Sequence, residues 1–257
     1  MASQTFEGCV LRTMDFRESD KIVSLLTPEH GRLDAIARGA RKSHKRFGGH
    51  LELFSKVEVV ADIRAGKDLH VLKQAKQLAA IPSLKDDLLK FAIASYGAEV
   101  MLRTAVPGDA DAHAYQVFMA WLGTLGEAPE GWEETVLRAG QIRFMAIRGI
   151  LGDPSYCLQC GESVNSAAPI AGLQLPELGV VCSECGVGHS SVHRVSGDVV
   201  LLLQKGVAGS LVRGALHPPS RSDLANLGRF LEWSIDEYLG ETPKSSSFLH
   251  QLLSPMG

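Results

Sequence analysis

The sequence contains no run of eighteen apolar residues, which excludes an ordinary membrane-spanning helix. It also lacks a Gly-x-x-x-x-Gly-Lys-Ser/Thr motif, so nothing in it indicates nucleotide hydrolysis. The opening residues MASQTFEGCV have no basic segment followed by an apolar one. We therefore expect a cytoplasmic protein that is neither secreted nor inserted in a membrane.

A strong net charge is also absent, because 26 basic side chains face 29 acidic ones. The distribution is nevertheless uneven. Residues 1–80 hold fourteen Lys and Arg against ten Asp and Glu, whereas the rest of the chain holds twelve against nineteen. A basic region on an otherwise acidic chain indicates one surface that meets a polyanion.

Short strand-like segments dominate the N-terminal eighty residues, and polar and apolar residues alternate in residues 32–37. The predicted strands lie within residues 8–11, 21–26, 32–37, 57–63 and 69–72. Five short strands in so little sequence predict a small closed barrel of the OB type over residues 1–80. An SH3-like barrel fits the same strand count.

Residues 81–257 are predicted to form a helical domain, with Ser83 capping its first helix. Apolar residues recur at helical spacing in residues 84–102, 110–125, 132–151 and 222–239. Residues 152–190 interrupt this pattern and carry four cysteines, which predicts an insertion in the helical domain. The predicted fold class is α+β.

Four of the five cysteines form two Cys-x-x-Cys pairs, Cys157 with Cys160 and Cys182 with Cys185, separated by 21 residues. Two facing knuckles of this kind supply the tetrahedral sulfur set that Zn²⁺ prefers. Because four sulfurs leave no position open for water, we predict one structural zinc per chain. Two redox pairs or idle thiols are the alternative. Cys9 lies in a predicted strand and is expected to be a buried, inert thiol.

A cluster of cations follows the third predicted strand. Five basic residues fall within nine positions: Arg38, Arg41, Lys42, Lys45 and Arg46. Such clustering suits DNA, because each phosphate contact releases condensed counterions. Phe47 follows directly and is a candidate for stacking on a base, as aromatic residues do in barrels that hold single strands. The alternative is a solvated loop of charges.

At these motifs the chain resembles the bacterial RecO family of recombination mediators. The N-terminal likeness is dense and covers residues 10–13, 18–23, 26–33, 37–42, 46–49, 53–54 and 57–58. The four-cysteine segment and residues 239–240 and 247–249 match as well, whereas the helical middle is similar mainly in pattern.

The resemblance implies an N-terminal OB domain and a helical domain with a zinc-finger-like insertion. It also implies binding to single- and double-stranded DNA and annealing of complementary strands in the RecF pathway of homologous recombination. The implied partners are RecR, the single-strand binding protein SSB and, indirectly, RecA, which the protein would help to load onto SSB-coated strands.

Residue roles follow by position from the same resemblance. The basic stretch from Arg38 to Arg46 would track the DNA backbone, and Lys21 and Arg32 are weaker candidates for this role. An acidic SSB tail ending in an aromatic residue needs a cation beside an apolar pocket. The candidates for that cation lie on the third predicted helix and are Arg138, Arg143 and Arg148.

No catalytic constellation is apparent, so we expect a binding protein and not an enzyme. A DNA-processing enzyme is one alternative, for which the adjacent acidic pairs at residues 86–87 and 133–134 are candidates. Both pairs fall at predicted helix starts, where negative charge is favoured for other reasons. A zinc-ribbon scaffold that binds only proteins is the other alternative.

Overall fold

The computed structural model describes residues 3–43, 45–64, 66–164, 170–175, 177–187, 191–209 and 217–253. The N-terminal strands are β1 (Ser3–Phe16), β2 (Asp20–Thr27), β3 (Gly31–Ala37), β4 (Lys56–Asp62) and β5 (Leu69–Ala79). The later strands are β6 (Ile170–Gln174), β7 (Gly179–Cys182) and β8 (Val192–His193). The helices are α1 (Ser83–Asp86), α2 (Leu88–Thr104), α3 (Ala112–Glu127), α4 (Glu133–Ile147), α5 (Gly197–Val207), α6 (Arg221–Leu239) and α7 (Ser245–Leu253).

The chain divides into two compact units, one formed by Met1–Glu127 with Pro243–Gly257 and the other by Ala128–Thr242. The first unit contains β1 to β5 with α1, α2, α3 and α7, and the second contains α4 to α6 with β6 to β8. The α+β class predicted from the sequence is confirmed. The domain limits predicted at residue 80 and over residues 152–190 stay predictions, because a division into compact units does not define the limits of the barrel or of the insertion.

The five N-terminal strands close into a barrel in the order β1-β2-β3-β5-β4. The long strand β1 pairs antiparallel with β2 over residues 9–16 and with β4 over residues 3–9. Strand β3 runs parallel to β5. This closed arrangement is the OB-type barrel that the sequence predicts. Its interior is filled by small and branched side chains that include Val10, Val23, Leu25, Leu33, Val57, Val59 and Leu72.

The turn between β2 and β3 packs against the loop between α2 and α3. The Gly108 N–H donates to the His30 carbonyl at 2.9 Å. Gly31 has φ +57°, and a Cβ added there would lie 2.3 Å from the Val106 carbonyl oxygen and 2.4 Å from that of Asp109. Only glycine fits, because both the backbone conformation and the contact exclude a side chain.

We expect Gly31→Ala to lower the free energy of unfolding of the first unit by about 2 kcal/mol. Urea unfolding followed by circular dichroism measures this loss. Gly66→Ala is the matched control, since Gly66 also has positive φ (+68°) but nothing lies within 4 Å of its added Cβ. Its cost should stay near 1 kcal/mol. Equal losses in the two variants would contradict the proposed contact.

The first long helix begins later than the sequence indicates. Asp87 caps α2, with its carboxylate accepting from the Lys90 N–H at 3.0 Å. The prediction of Ser83 as a side-chain cap is wrong, because its hydroxyl donates instead to the Gly126 carbonyl at 2.9 Å. Ser83 thus joins α1 to the end of α3, and this distant partner is invisible to a local capping pattern.

The second unit has its own buried core, in which α4 packs against α5 and α6. A Cβ added to Gly206 on α5 would lie 2.5 Å from a methyl carbon of Ile142 on α4, so these two helices approach closely. The small sheet of the unit has the order β7-β6-β8. Among the helices that the structure describes, none combines the length and the apolar character that crossing a membrane requires.

Candidate nucleic-acid interface and metal centre

The cationic residues after β3 lie on a loop that is tied to the hairpin of β1 and β2. We call residues 38–46 the basic loop; His44, within it, lies outside the described residues. The Arg41 N–H donates to the Ser19 carbonyl at 3.0 Å, and the Gly39 N–H donates to the Asp20 carboxylate at 2.9 Å. The second contact lowers the pKa of the Asp20 carboxyl. The loop therefore has a defined position on the barrel.

Within the basic loop, the arginines and lysines have different surroundings. Arg46 donates to the Arg38 carbonyl at 3.0 Å and lies 3.3 Å from the Ser43 hydroxyl, so it braces the loop. Arg38, Lys42 and Lys45 are exposed. In the described part of the chain, neither Lys42 nor Lys45 forms an ion pair. These two ammonium groups are therefore available to an external anion.

The prediction that Phe47 stacks on a base is wrong. Its side chain is only 2% exposed and belongs to the barrel core together with Leu51. The adjacent backbone is fixed as well, because the Arg46 carbonyl accepts from the Ala75 N–H of β5 at 2.9 Å. Phe47 thus anchors the basic loop to the barrel. Its position directly after the cations suggested an exposed ring, but the interior of the barrel offers it more apolar contact.

The two weaker candidates for phosphate contact have intramolecular partners. Lys21 lies 3.8 Å from the Asp15 carboxylate. Arg32 donates to the Leu102 carbonyl at 2.8 Å and lies 3.3 Å from the Asp34 carboxylate. Arg32 therefore connects β3 to α2, and we leave it out of the proposed interface.

The sequence reasoning overlooked Arg12 and Arg17, which are exposed cations on the hairpin of β1 and β2. Arg17 has φ +55° at the hairpin tip, and its guanidinium carbon lies 5.2 Å from the centroid of the Phe16 ring. The alternation Arg12-x-Met14-x-Phe16 in a strand-like segment was the available signal.

The four paired cysteines meet in the second unit. Their sulfur atoms all lie within 4.8 Å of one another. Each pair forms the same tight turn, in which the N–H following the second cysteine donates to the carbonyl of the first. The Gly161 N–H donates to Cys157 and the Gly186 N–H donates to Cys182, both at 2.9 Å. Two knuckles thus face each other, as the spacing predicts.

The electrostatics of this cluster favour a cation. Burial opposes ionisation of Cys157, but backbone N–H groups led by that of Cys182 outweigh it and lower its pKa to about 6. By contrast, the neighbouring Cys182 and Cys160 thiols raise the pKa of Cys185 to about 12. Four thiols at this separation do not all ionise without a positive charge among them. A bound divalent ion would supply that charge.

The sulfur separations are compatible with a tetrahedral metal ion. Four sulfurs at 2.3 Å from a tetrahedral Zn²⁺ lie about 3.8 Å apart. The sulfur atoms of Cys160 and Cys182 lie 3.9 Å apart. Cys157 is buried, Cys160 is exposed, and Cys182 and Cys185 are half-buried. The residues present therefore fit a structural metal.

Arg138 is not available to bind the acidic tail of a partner protein. This side chain is 4% exposed and donates to Glu232 at 2.6 Å and to Glu134 and Gln141 at 3.0 Å. A Cβ added to Gly228 would lie 2.2 Å from the guanidinium carbon, so α6 approaches α4 closely at this point. The prediction of Arg138 as a partner-binding residue is wrong, because the charge is buried and both of its terminal nitrogens donate to residues of the same unit.

The other two arginines of this set are half-buried. Arg143 donates to the Val207 carbonyl at 3.0 Å, and the Arg148 guanidinium carbon lies 5.9 Å from the centroid of the Phe144 ring. Nothing brings the three arginines together on one surface. Their role as a partner-binding set stays a prediction for Arg143 and Arg148.

The closed barrel with its anchored basic loop, the helices and the four-thiol cluster define an OB-barrel protein in which four cysteines are placed to bind a metal ion. Two family models match: recombination protein O N terminal over residues 1–81, and recombination protein O C terminal over residues 85–247. The chain therefore belongs to the RecO family.

Individual relatives agree with this assignment. The DNA repair protein RecO of Anaeromyxobacter dehalogenans is 31% identical and aligns over 95% of each chain. The protein of the same name from Pelobacter propionicus is 30% identical over 98% of each chain. The one from Geobacter sulfurreducens is 31% identical over 96% of this chain and 97% of its own. Among solved structures, an asparaginyl-tRNA synthetase from Entamoeba histolytica aligns with 92% of this chain and 55% of its own. The TM-score is 0.29 and the identity is 13%, so this likeness supports no inference.

Proposed function

We propose that this protein is a DNA-binding mediator of recombinational repair that makes and breaks no covalent bonds. The observation that carries the proposal is the anchored basic loop with the ammonium groups of Lys42 and Lys45, neither of which forms an ion pair with the residues that the structure describes. A cation that is held in place and has no internal partner gains most from a phosphate, because contact releases counterions from the DNA. The printed names of the relatives, DNA repair protein RecO, agree with this role.

Annealing of complementary strands follows from the same electrostatics. Repulsion between two phosphate backbones opposes their pairing, and cations of the basic loop reduce that repulsion when they contact both backbones. Base pairing then supplies the specificity. The protein needs no ATP for this step, in agreement with the lack of a phosphate-binding motif in the sequence.

We further propose that Cys157, Cys160, Cys182 and Cys185 hold one Zn²⁺. When bound, the ion supplies no catalysis but joins the two knuckles and neutralises the thiolates. The chain's own residues prepare the site: the backbone N–H of Cys182 lies 3.4 Å from the Cys157 sulfur and stabilises its thiolate. The module is thus structural.

Three of the four carboxylates in the acidic pairs that an enzyme would use have structural roles, which supports a protein without catalysis. Asp87 caps α2. Glu133 accepts from the Gly131 N–H at 2.8 Å, and Glu134 pairs with Arg138 at 3.0 Å. The intramolecular roles of these three carboxylates favour a protein that binds DNA over the rival DNA-processing enzyme.

Family membership supports a place for the protein in the RecF pathway. We propose that it acts with RecR, contacts SSB on coated single strands, and helps RecA to load onto them. We also propose that it binds both single- and double-stranded DNA in the bacterial cytoplasm, in association with the nucleoid.

An annealing assay tests this function. Two complementary labelled oligonucleotides, bare or coated with SSB, are mixed with the protein without ATP, and duplex formation is followed on native gels. We expect faster annealing of bare strands and, with RecR, of coated strands. Strands that anneal no faster than without protein would overturn the proposal.

A further inference from the structure

The hairpin of β1 and β2 carries an exposed apolar face next to the basic loop. Val23 of β2 points into the barrel core, so Ile22, its neighbour, points outward. Met14 pairs directly with Ile22 and therefore shares this outer face. Alternation along β1 adds Arg12 and Phe16 to the same face.

This face is unusual in being both apolar and cationic. Met14 is 40% exposed, and Phe16 and Ile22 are half-buried. Arg12 is exposed at one end of the row, and at the other end the Arg17 guanidinium lies over the Phe16 ring at 5.2 Å. An aromatic ring flanked by arginines suits a nucleotide, whose base stacks on the ring while its phosphate meets a cation.

The hairpin tip is fixed to the basic loop by several contacts. Beyond the two hydrogen bonds of Ser19 and Asp20, the Arg41 side chain lies 3.4 Å from the Glu18 carbonyl and 3.5 Å from the Asp15 carboxylate. These contacts hold the hairpin tip, which follows Phe16, beside the loop that carries Lys42 and Lys45. A strand that contacts the loop continues naturally onto the hairpin.

We propose that Phe16 is the base-stacking residue of the DNA site, with Met14 and Ile22 extending the apolar surface and Arg12 and Arg17 contacting the flanking phosphates. This inference rests on the proposed function and adds a preference to it. Only unpaired bases expose their faces to a protein, so the hairpin face selects single strands, whereas the basic loop contacts the backbone of single strands and duplexes alike.

Phe16→Ala tests the assignment. The probe is an oligothymidylate with a central 2-aminopurine, whose fluorescence falls when it stacks on an aromatic ring. We expect the variant to bind this strand about tenfold more weakly and to lose most of the quenching. Duplex affinity, the salt dependence of binding and the thermal midpoint should stay as in the wild type. Phe16→Trp should restore both the affinity and the quenching.

Phe248→Ala is the control, because Phe248 is also an exposed aromatic residue but lies on α7. It should bind single strands like the wild type. Wild-type affinity and quenching in Phe16→Ala would overturn the inference, and so would equal losses for single strands and duplexes. If Phe16→Ala has no effect while loss of Lys42 and Lys45 weakens binding, only the stacking role fails. Failure of the wild type to bind any oligonucleotide would remove the proposed function itself.

Discussion

Replacing Cys157 or Cys182 with serine is expected to abolish zinc binding and to destabilise the second unit. Structural Zn²⁺ sites contribute their binding free energy to folding, so the loss should be on the order of 5 kcal/mol or more. Each substitution removes one thiolate from a closed set, and the three remaining sulfurs hold the ion far more weakly. Native mass spectrometry should give one zinc per wild-type chain and none in the variants, and calorimetry should show the drop in thermal midpoint.

The fifth cysteine is the matched control. Cys9 is fully buried in β1, and burial raises the pKa of its thiol to about 12, which keeps it protonated. Cys9→Ala should therefore retain the zinc and lower the stability of the first unit only slightly. A metal-free wild-type protein with a normal thermal midpoint would contradict the structural role of the four-cysteine cluster.

Removal of Lys42 and Lys45 together is expected to have the largest effect on DNA binding. Each phosphate contact contributes about 0.7 to 0.9 to the slope of log affinity against log salt. The double alanine variant should therefore flatten this slope by about 1.5 units and weaken binding at low salt by about 100-fold. We leave Arg46 unchanged because its hydrogen bonds to Arg38 and Ser43 maintain the shape of the loop.

A second double variant, Lys205→Ala with Lys244→Ala, removes the same net charge from α5 and from the segment before α7. Its salt slope should remain within half a unit of the wild type if binding is local to the basic loop. Equal flattening in both double variants would show that only net charge matters. An unchanged slope in the Lys42 and Lys45 variant would remove these residues from the DNA site.

The barrel and the cysteine cluster were predictable because each follows from short-range pattern. The alternation of polar and apolar residues in β3 predicts a strand with one face in the core. The structure confirms this, because Leu33, Ala35 and Ala37 all belong to the barrel core. Each Cys-x-x-Cys pair forms its knuckle from local sequence alone. The four sulfur atoms then lie within 4.8 Å of one another because the fold brings the two knuckles together.

The errors arose where a distant partner decides the role of a residue. Phe47 packs into the barrel interior, and the Ser83 hydroxyl donates to the Gly126 carbonyl. Arg138 is held by Glu232, which lies 94 positions further along the chain. Burial of a charge is stable only with such a partner, and periodicity within one helix cannot reveal it. The contact between the hairpin tip and the basic loop could not be predicted for the same reason, because it joins residues that are distant in sequence.

In the proposed function the protein binds DNA electrostatically and leaves it chemically intact. Incubation of a labelled single strand with purified protein in dilute buffer, with and without Mg²⁺, tests both halves at once. We predict a retarded complex on a native gel and, after denaturation, a strand of unchanged length under both conditions. Absence of any complex, or cleavage that depends on the divalent ion, would contradict the account.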